Sequence, residues 1–102
     1  EEGFLDSVAR LAGRLRQRLE GLVASHPLVV EEVRGEGLML GLRVKPTNLD
    51  VVTALREAGL LTVPAGENVV RLLPPLNIEN AQIDEAVGII EEVCARFADS
   101  GD

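Results

Sequence analysis

Apolar residues recur every three or four positions near the start of the chain, over residues 4–24. The series comprises Leu5, Val8, Leu11, Leu15, Leu19 and Leu22. This spacing places one apolar stripe along a helix and leaves the arginines of the segment on a solvated side. The pattern predicts an amphipathic helix that ends at Ser25-His26-Pro27, because proline cannot continue a helix.

Two shorter apolar segments follow, over residues 28–32 and 38–44, and they predict two strands. The glycine-rich residues 33–37 between them predict a hairpin connection. Gly41 lies inside the second strand, where a glycine indicates a bulge or a close backbone contact. The glycine spacing is G-x-G-x-x-x-G and no helix follows directly, so the pattern does not indicate a dinucleotide-binding loop.

A short helix is predicted over residues 49–58, with Thr47 or Asn48 as its N-terminal cap. Gly59 is placed to end this helix in a left-handed conformation. The helix follows Lys45-Pro46, which interrupts the second strand.

The remaining residues predict two more strands and a closing helix. The strands cover residues 60–63 and 69–73, and the turn between them covers residues 64–68. Pro74-Pro75 stops the second of these strands, since neither proline can donate a ladder hydrogen bond. Apolar residues at helical spacing then predict a helix over residues 80–98.

The predicted order of elements is helix, strand, strand, helix, strand, strand, helix. Strands joined as neighbours pair antiparallel, and the intervening helices cover one side of the sheet. The predicted fold class is therefore α+β, with a small, mostly antiparallel four-stranded sheet and helices on one face. Because the chain has 102 residues, we expect one domain over residues 1–102.

Composition argues against several classes of function. The net charge is −7, and Phe4 and Phe97 are the only aromatic residues, so nucleic acid is not an expected partner. No apolar run reaches the length that spans a bilayer. Cys94 and His26 lie far apart in the sequence, which indicates neither a catalytic thiol pair nor a metal site. A lone, reduced cysteine suits a cytoplasmic protein.

Arg71 stands alone in the apolar segment of residues 69–73. A guanidinium is always charged, and burying it is costly unless an acceptor meets it. Arg71 is therefore expected either to project from its strand into a wet cleft or to be paired. The alternative is a solvent-facing arginine whose aliphatic stem covers apolar neighbours.

Three segments, in order, resemble the class III pyridoxal-phosphate aminotransferases. Residues 33–41 resemble the V-R-G-x-G-L-M-x-G hairpin of that family, and residues 57–61 resemble its E-A-G-L-L segment. Residues 68–78 resemble the segment N-V-x-R-x-x-P-P-L-x-I. The resemblance covers about residues 4–97 and is strongest to the acetylornithine/ornithine branch, which serves arginine biosynthesis.

The resemblance implies the C-terminal small domain of a longer, homodimeric enzyme. Its large domain, absent here, would hold pyridoxal phosphate on a lysine and transfer an amino group from N-acetylornithine to 2-oxoglutarate. Lys45 matches no Schiff-base motif, so this chain alone is expected to be inactive and to bind no cofactor. Arg71 matches the family arginine that meets a carboxylate, from the substrate or from a large-domain glutamate. No residue of this chain is predicted to be catalytic.

Two other functions stay open. One is a free-standing regulatory module of the α+β class, in which Arg71 would hold the carboxylate of an amino-acid effector. The other is a purely structural dimerisation domain, which remains if Arg71 is exposed and unpaired. If the chain is a piece of an enzyme, we expect it to expose a large apolar surface, above all on the first helix.

Overall fold

The computed structural model describes residues 2–74 and 79–100, with side chains at residues 6–74 and 79–98. The helices are α1 Glu2–Ser25, α2 Asn48–Glu57 and α3 Asn80–Ser100. The strands are β1 Val30–Glu36, β2 Met39–Val44, β3 Thr62–Ala65 and β4 Val69–Leu72, with a 3-10 turn at Gly66–Asn68. Over the described ranges the order of helices and strands is the predicted one. The sequence predicts that Pro74 and Pro75 stop the last strand, and of these two prolines Pro75 lies outside the described residues.

The strands form one antiparallel sheet, which in the described part of the chain has four strands in the order β1-β2-β4-β3. Gly41 of β2 lies opposite Arg71 of β4, and Val63 of β3 lies opposite Arg71 on the other side. Arg71 therefore sits on an inner strand, with a neighbouring strand on each side.

The core fills the space between the helices and one face of the sheet. Alternate residues of the inner strands, such as Leu42 and Val70, point into it because side chains of a strand alternate between faces. The helices contribute fully buried residues, among them Leu19, Leu55 and Ile83. The opposite face of the sheet, called the open face below, carries Arg71. The predicted α+β sheet with helices on one face is confirmed.

The first hairpin is tighter than the sequence predicts. Strand β1 continues to Glu36, so the expected connection over residues 33–37 is mostly strand, and the turn covers only residues 37–38. The prediction was wrong because the glycines resemble loop residues in composition, whereas Val33 is buried and paired with Leu42.

Strand β3 lies two residues later than predicted, at Thr62–Ala65 rather than residues 60–63. It includes Pro64, which the sequence assigned to a turn. Proline is tolerated there because β3 is an edge strand, where one side of the backbone has no ladder partner.

Helix α1 is not the exposed apolar surface that the sequence predicts. Its residues Leu15, Leu19 and Leu22 are buried, because the helix packs both on β1 and on α3. Large exposed apolar residues in the described part of the chain are Leu28, Met39, Leu49, Leu61, Val63 and Leu73. Two of them, Met39 of β2 and Val63 of β3, lie on the open face of the sheet.

Candidate functional site

Strand β4 places the guanidinium of Arg71 on the open face of the sheet. Its neighbours in sequence, Val70 and Leu72, are buried on the helix side, so the alternation of the strand sends Arg71 the other way. Arg71 is exposed to solvent. Across the sheet it lies in one row with Gly41 of β2 and Arg34 of β1, since Gly41 pairs with both.

Gly41 lies between these two arginines, and the side chain of Val69 packs over it. A Cβ atom at position 41 would lie 2.6 Å from Cγ1 of Val69 and 3.1 Å from the carbonyl oxygen of Val70. The predicted close contact at Gly41 is therefore confirmed, with β4 as the partner. Because adjacent strands are about 4.8 Å apart, the backbones of Arg34 and Arg71 are separated by roughly 10 Å across Gly41.

A shallow pocket of about 200 Å³ occupies this part of the open face. Its lining includes Arg34, Gly35 and Met39 from the hairpin and Ala65, Val69 and Arg71 from the other two strands. Gly35 has a φ of 104°, and a Cβ there would lie 2.0 Å from the carbonyl oxygen of Met39. Gly35 and Gly41, two of the three glycines that line the pocket, are thus required by close packing.

Arg71 makes no hydrogen bond or ion pair with any residue that the structure describes. Pairing within the described residues is therefore not observed, and the exposed position agrees both with projection into a cleft and with the solvent-facing alternative. Its fork of N–H donors is available to a carboxylate from outside these residues.

Arg34, on the other side of Gly41, is held by two carboxylates. Its Nε atom donates to Oε2 of Glu32 at 2.6 Å, and its NH1 atom donates to Oε1 of Glu67. The hydrogen bond from Arg34 lowers the pKa of Glu67, so this carboxylate is ionised at neutral pH. Sequence reasoning treated Arg34 as part of a turn and did not single out Glu67. The only sequence signal for this pair of residues was the V-R-G motif, which contains Arg34.

A third arginine, Arg43, shares the open face with the other two. It lies 3.3 Å from a carboxylate oxygen of Glu31 and 3.9 Å from one of Glu32. Both arginines of the hairpin are therefore compensated by glutamates on β1, whereas Arg71 is not compensated within the described residues.

An asparagine pair fixes the turn that precedes Arg71. The side chain of Asn68 accepts a hydrogen bond from the backbone N–H of Asn48 at 2.9 Å and donates to two carbonyls of the β2–α2 connection. The side chain of Asn48 donates to the carbonyls of Ala65 and Val69 at 3.1 and 3.0 Å. We call these two residues the asparagine clasp.

The clasp changes the predicted role of one capping residue. Thr47 is the N-cap of α2 but makes no capping hydrogen bond through its side chain, and Asn48 directs its side-chain amide to the β3–β4 turn instead. Gly59 has a φ of 105° and follows the helix, as expected for a left-handed end.

The remaining candidate residues show no reactive arrangement. Cys94 is buried, and the loss of solvation raises the pKa of its thiol to about 11. His26 lies in the predicted turn, 3.6 Å from Glu91. Within residues 2–74 and 79–100, no group of metal-ligating side chains comes together, and no helix is long and apolar enough to cross a membrane.

Fold and site together define an α+β domain that presents one uncompensated arginine on an open sheet face. Residues 1–94 match the family described as Aminotransferase class-III. The chain therefore belongs to the class III aminotransferase family.

Curated relatives carry a more specific name. The chain is 58% identical over 93 residues to acetylornithine aminotransferase of Rhodobacter capsulatus, a match that covers 91% of this chain and 24% of that protein. It is 47% identical over 100 residues to the enzyme of the same name from Mesorhizobium japonicum, covering 98% of this chain and 25% of that protein. The chain thus spans about a quarter of the length of these relatives.

Solved structures agree with the fold. N-acetylornithine aminotransferase from Stenotrophomonas maltophilia superposes with a TM-score of 0.85 at 27% identity, over 98% of this chain and 28% of that one. Ornithine delta-aminotransferase from Plasmodium falciparum gives 0.85 at 32% identity, over 96% and 25% of the two chains.

The family implies pyridoxal phosphate in the intact enzyme, but the residues that the structure describes do not fit the cofactor. The single lysine, Lys45, is exposed in the β2–α2 connection. The surface depression beside it is lined by Glu31, Glu32 and Arg43, and Arg43 is paired with both glutamates, so its guanidinium is not free to hold a phosphate group. The depression lies away from Arg71, so Lys45 and Arg71 do not form one site.

Proposed function

We propose that this chain is the C-terminal small domain of an acetylornithine aminotransferase, a cytoplasmic homodimer. The large domain of the same protein would supply the pyridoxal phosphate site, with its lysine, and this chain would supply a contact to a carboxylate. The names of the relatives and the quarter-length match support the proposal. The reaction would transfer the δ-amino group of N-acetylornithine to 2-oxoglutarate.

The observation that carries the proposal is the uncompensated guanidinium of Arg71 on the open face. A planar fork of N–H donors matches the two oxygens of a carboxylate, and the charge-assisted pair is strong when solvent is excluded. The partner would be the carboxylate of the amino acid substrate or a glutamate of the large domain.

The residues of this chain would then act by binding and orientation. The cofactor supplies the electron sink of the reaction when it is bound by the intact enzyme. Arg71 would hold one carboxylate at a fixed distance from the sheet, beside Val69, whose side chain packs over Gly41. Fixing one end of a small substrate in this way reduces the entropy that must be lost before reaction.

Substitution of Arg71 in the intact enzyme tests this function. We expect Arg71→Ala to lower kcat/KM for N-acetylornithine by about 10²-fold, because a charge-assisted bidentate pair is lost. Arg71→Lys keeps the charge but loses the planar fork, so we expect a smaller decrease of about tenfold. Steady-state kinetics with both substrates gives the measurement.

Arg56→Ala is the matched control, because Arg56 is also exposed but lies in the last turn of α2, outside the pocket. Its kinetics should equal those of the unmodified enzyme. If Arg71→Ala behaves like Arg56→Ala, the purely structural alternative is correct. Micromolar binding of ornithine, arginine or 2-oxoglutarate to this chain alone, measured by calorimetry, would instead support the regulatory module.

A further inference from the structure

The two arginines that flank Gly41 differ in how their charges are compensated. Arg34 and Arg71 line the same pocket and lie in the same row of the sheet. Arg34 is bound by Glu32 and Glu67, whereas Arg71 has no carboxylate partner among the side chains described, at residues 6–74 and 79–98. The pocket therefore contains two guanidinium groups but only one uncompensated positive charge.

Glu67 lies in the turn between β3 and β4, and from there its carboxylate contacts Arg34 of β1. Glu32 is shared, since it also lies 3.9 Å from Arg43, whereas Glu67 engages the terminal NH1 atom of Arg34. That atom belongs to the end of the guanidinium that otherwise offers two parallel N–H groups to a ligand. The contact with Glu67 thus occupies the part of Arg34 that is best suited to bind a carboxylate.

The backbone holds Glu67 in an uncommon conformation. Glu67 and Asn68 have φ values of 62° and 63°, a region that residues other than glycine seldom adopt. The asparagine clasp stabilises this turn through the side chain of Asn68, which bonds to the β2–α2 connection. A conformation of this kind persists only where the surrounding structure imposes it. The placement of Glu67 is therefore built into the fold.

The size of the pocket limits what it can accept. Its volume of about 200 Å³ is below that of clefts that enclose a whole ligand, which are about 300–1,000 Å³. It suits one end of a small molecule. A carboxylate bound in this pocket would contact Arg71, whereas Arg34 is already bound by two glutamates.

We propose that Glu67 is a specificity-determining residue: by holding Arg34, it restricts the open-face pocket to a single carboxylate bound by Arg71. The inference rests on the proposed function of Arg71 and deepens it. Without Glu67, the pocket would present two guanidinium groups and would favour compact dicarboxylates over monocarboxylates.

Competitive inhibition of the intact enzyme by propionate and by malonate tests this restriction. The two acids have the same three-carbon skeleton, but only malonate can engage both arginines at once. In Glu67→Gln we expect the preference for malonate over propionate to rise about tenfold above that of the unmodified enzyme, since one charge-assisted contact is gained. The ratio of the two inhibition constants cancels general effects on the active site.

The double variant Arg34→Gln/Glu67→Gln removes both charges and should return the preference to the unmodified value. Glu57→Gln, an exposed glutamate at the end of α2, is the matched control and should change nothing. Thermal melting shows whether each variant is folded. An unchanged ratio in a folded Glu67→Gln variant, or a raised ratio that persists in the double variant, would overturn the proposal.

Failure of this inference is distinguishable from failure of the proposed function. If Arg71→Ala lowers kcat/KM and Glu67→Gln leaves the inhibitor ratio unchanged, the proposed function of Arg71 stands. The proposed specificity role of Glu67 is then wrong. If neither substitution has an effect, both proposals are wrong.

Discussion

Three arginines share the open face of the sheet, and their immediate neighbours give them different properties. Arg34 and Arg43 lie beside glutamates of β1, so their charges are compensated locally. Arg71 lies between Gly41 and Val63, which carry no charge. At the scale of the residue, the side chains opposite a strand position decide whether an arginine is structural or available to a ligand.

Cys94 provides a prediction at this scale. Burial raises the pKa of its thiol to about 11, and nearby Glu91 acts in the same direction. Because only the thiolate reacts, its fraction at pH 8 is about 10⁻³, against roughly 0.1 or more for an unperturbed cysteine. We therefore expect modification by a thiol reagent at pH 8 to be at least about 100-fold slower in the folded chain than in urea.

The measurement is the rate of colour release from a disulfide reagent, with the same chain in denaturing urea as the control. Equal rates in the two conditions would show that Cys94 is accessible and not buried.

At the scale of the element, β4 is a strand of four residues whose position depends on the turn before it. Arg71 is its third residue, so a shift of the turn would move the guanidinium. The turn consists of residues in left-handed conformations, and the asparagine clasp connects it to the start of α2. By fixing the turn that precedes β4, the clasp also fixes the position of Arg71.

Removal of the clasp should destabilise the chain. Asn68→Ala leaves the carbonyls of Val44 and Pro46 and the N–H of Asn48 without their side-chain partner. Because each unsatisfied, partly buried group is costly, we expect a loss of about 2–4 kcal/mol in the free energy of unfolding.

Urea unfolding followed by circular dichroism measures this loss, since the chain has no tryptophan or tyrosine for fluorescence. Asn80→Ala is the control, because Asn80 is exposed at the start of α3. A midpoint for Asn68→Ala equal to that of Asn80→Ala would show that the clasp contributes nothing.

At the scale of the whole molecule, the helices cover one face of the sheet and leave the other face open. That face carries the pocket, Arg71 and the exposed residues Met39 and Val63. The matching relatives are about four times as long as this chain, so the proposed large domain is the expected cover for this face.

The expected inactivity of this chain alone gives a prediction at this scale. When this chain is incubated with pyridoxal phosphate and reduced with borohydride, we expect no saturable adduct at Lys45, because the depression beside it offers the phosphate no unpaired arginine. The absorbance of the reduced adduct provides the measurement, and Lys45→Arg is the control for background labelling. A saturable adduct that disappears in Lys45→Arg would contradict the prediction.

Sequence periodicity was sufficient for the order of the elements, because apolar spacing distinguishes helix from strand locally. Helix α1 and the buried face of α2, with Val51, Val52 and Leu55, follow from spacing alone. Strand limits were less well predicted. Residues 33–37 and Pro64 have the composition of turns, and only pairing with neighbouring strands places Gly35 and Pro64 inside β1 and β3.

The sequence by itself determined the family motifs, the fold class and the choice of Arg71 as the residue to explain. The tertiary structure decided that Arg71 lies across Gly41 from Arg34, and that Glu67 compensates Arg34. It also decided that Leu15, Leu19 and Leu22 of α1 are covered, because the helix packs on β1 and α3. The physical reason is that charge compensation and burial depend on residues distant in sequence, whereas periodicity reports only the local chain.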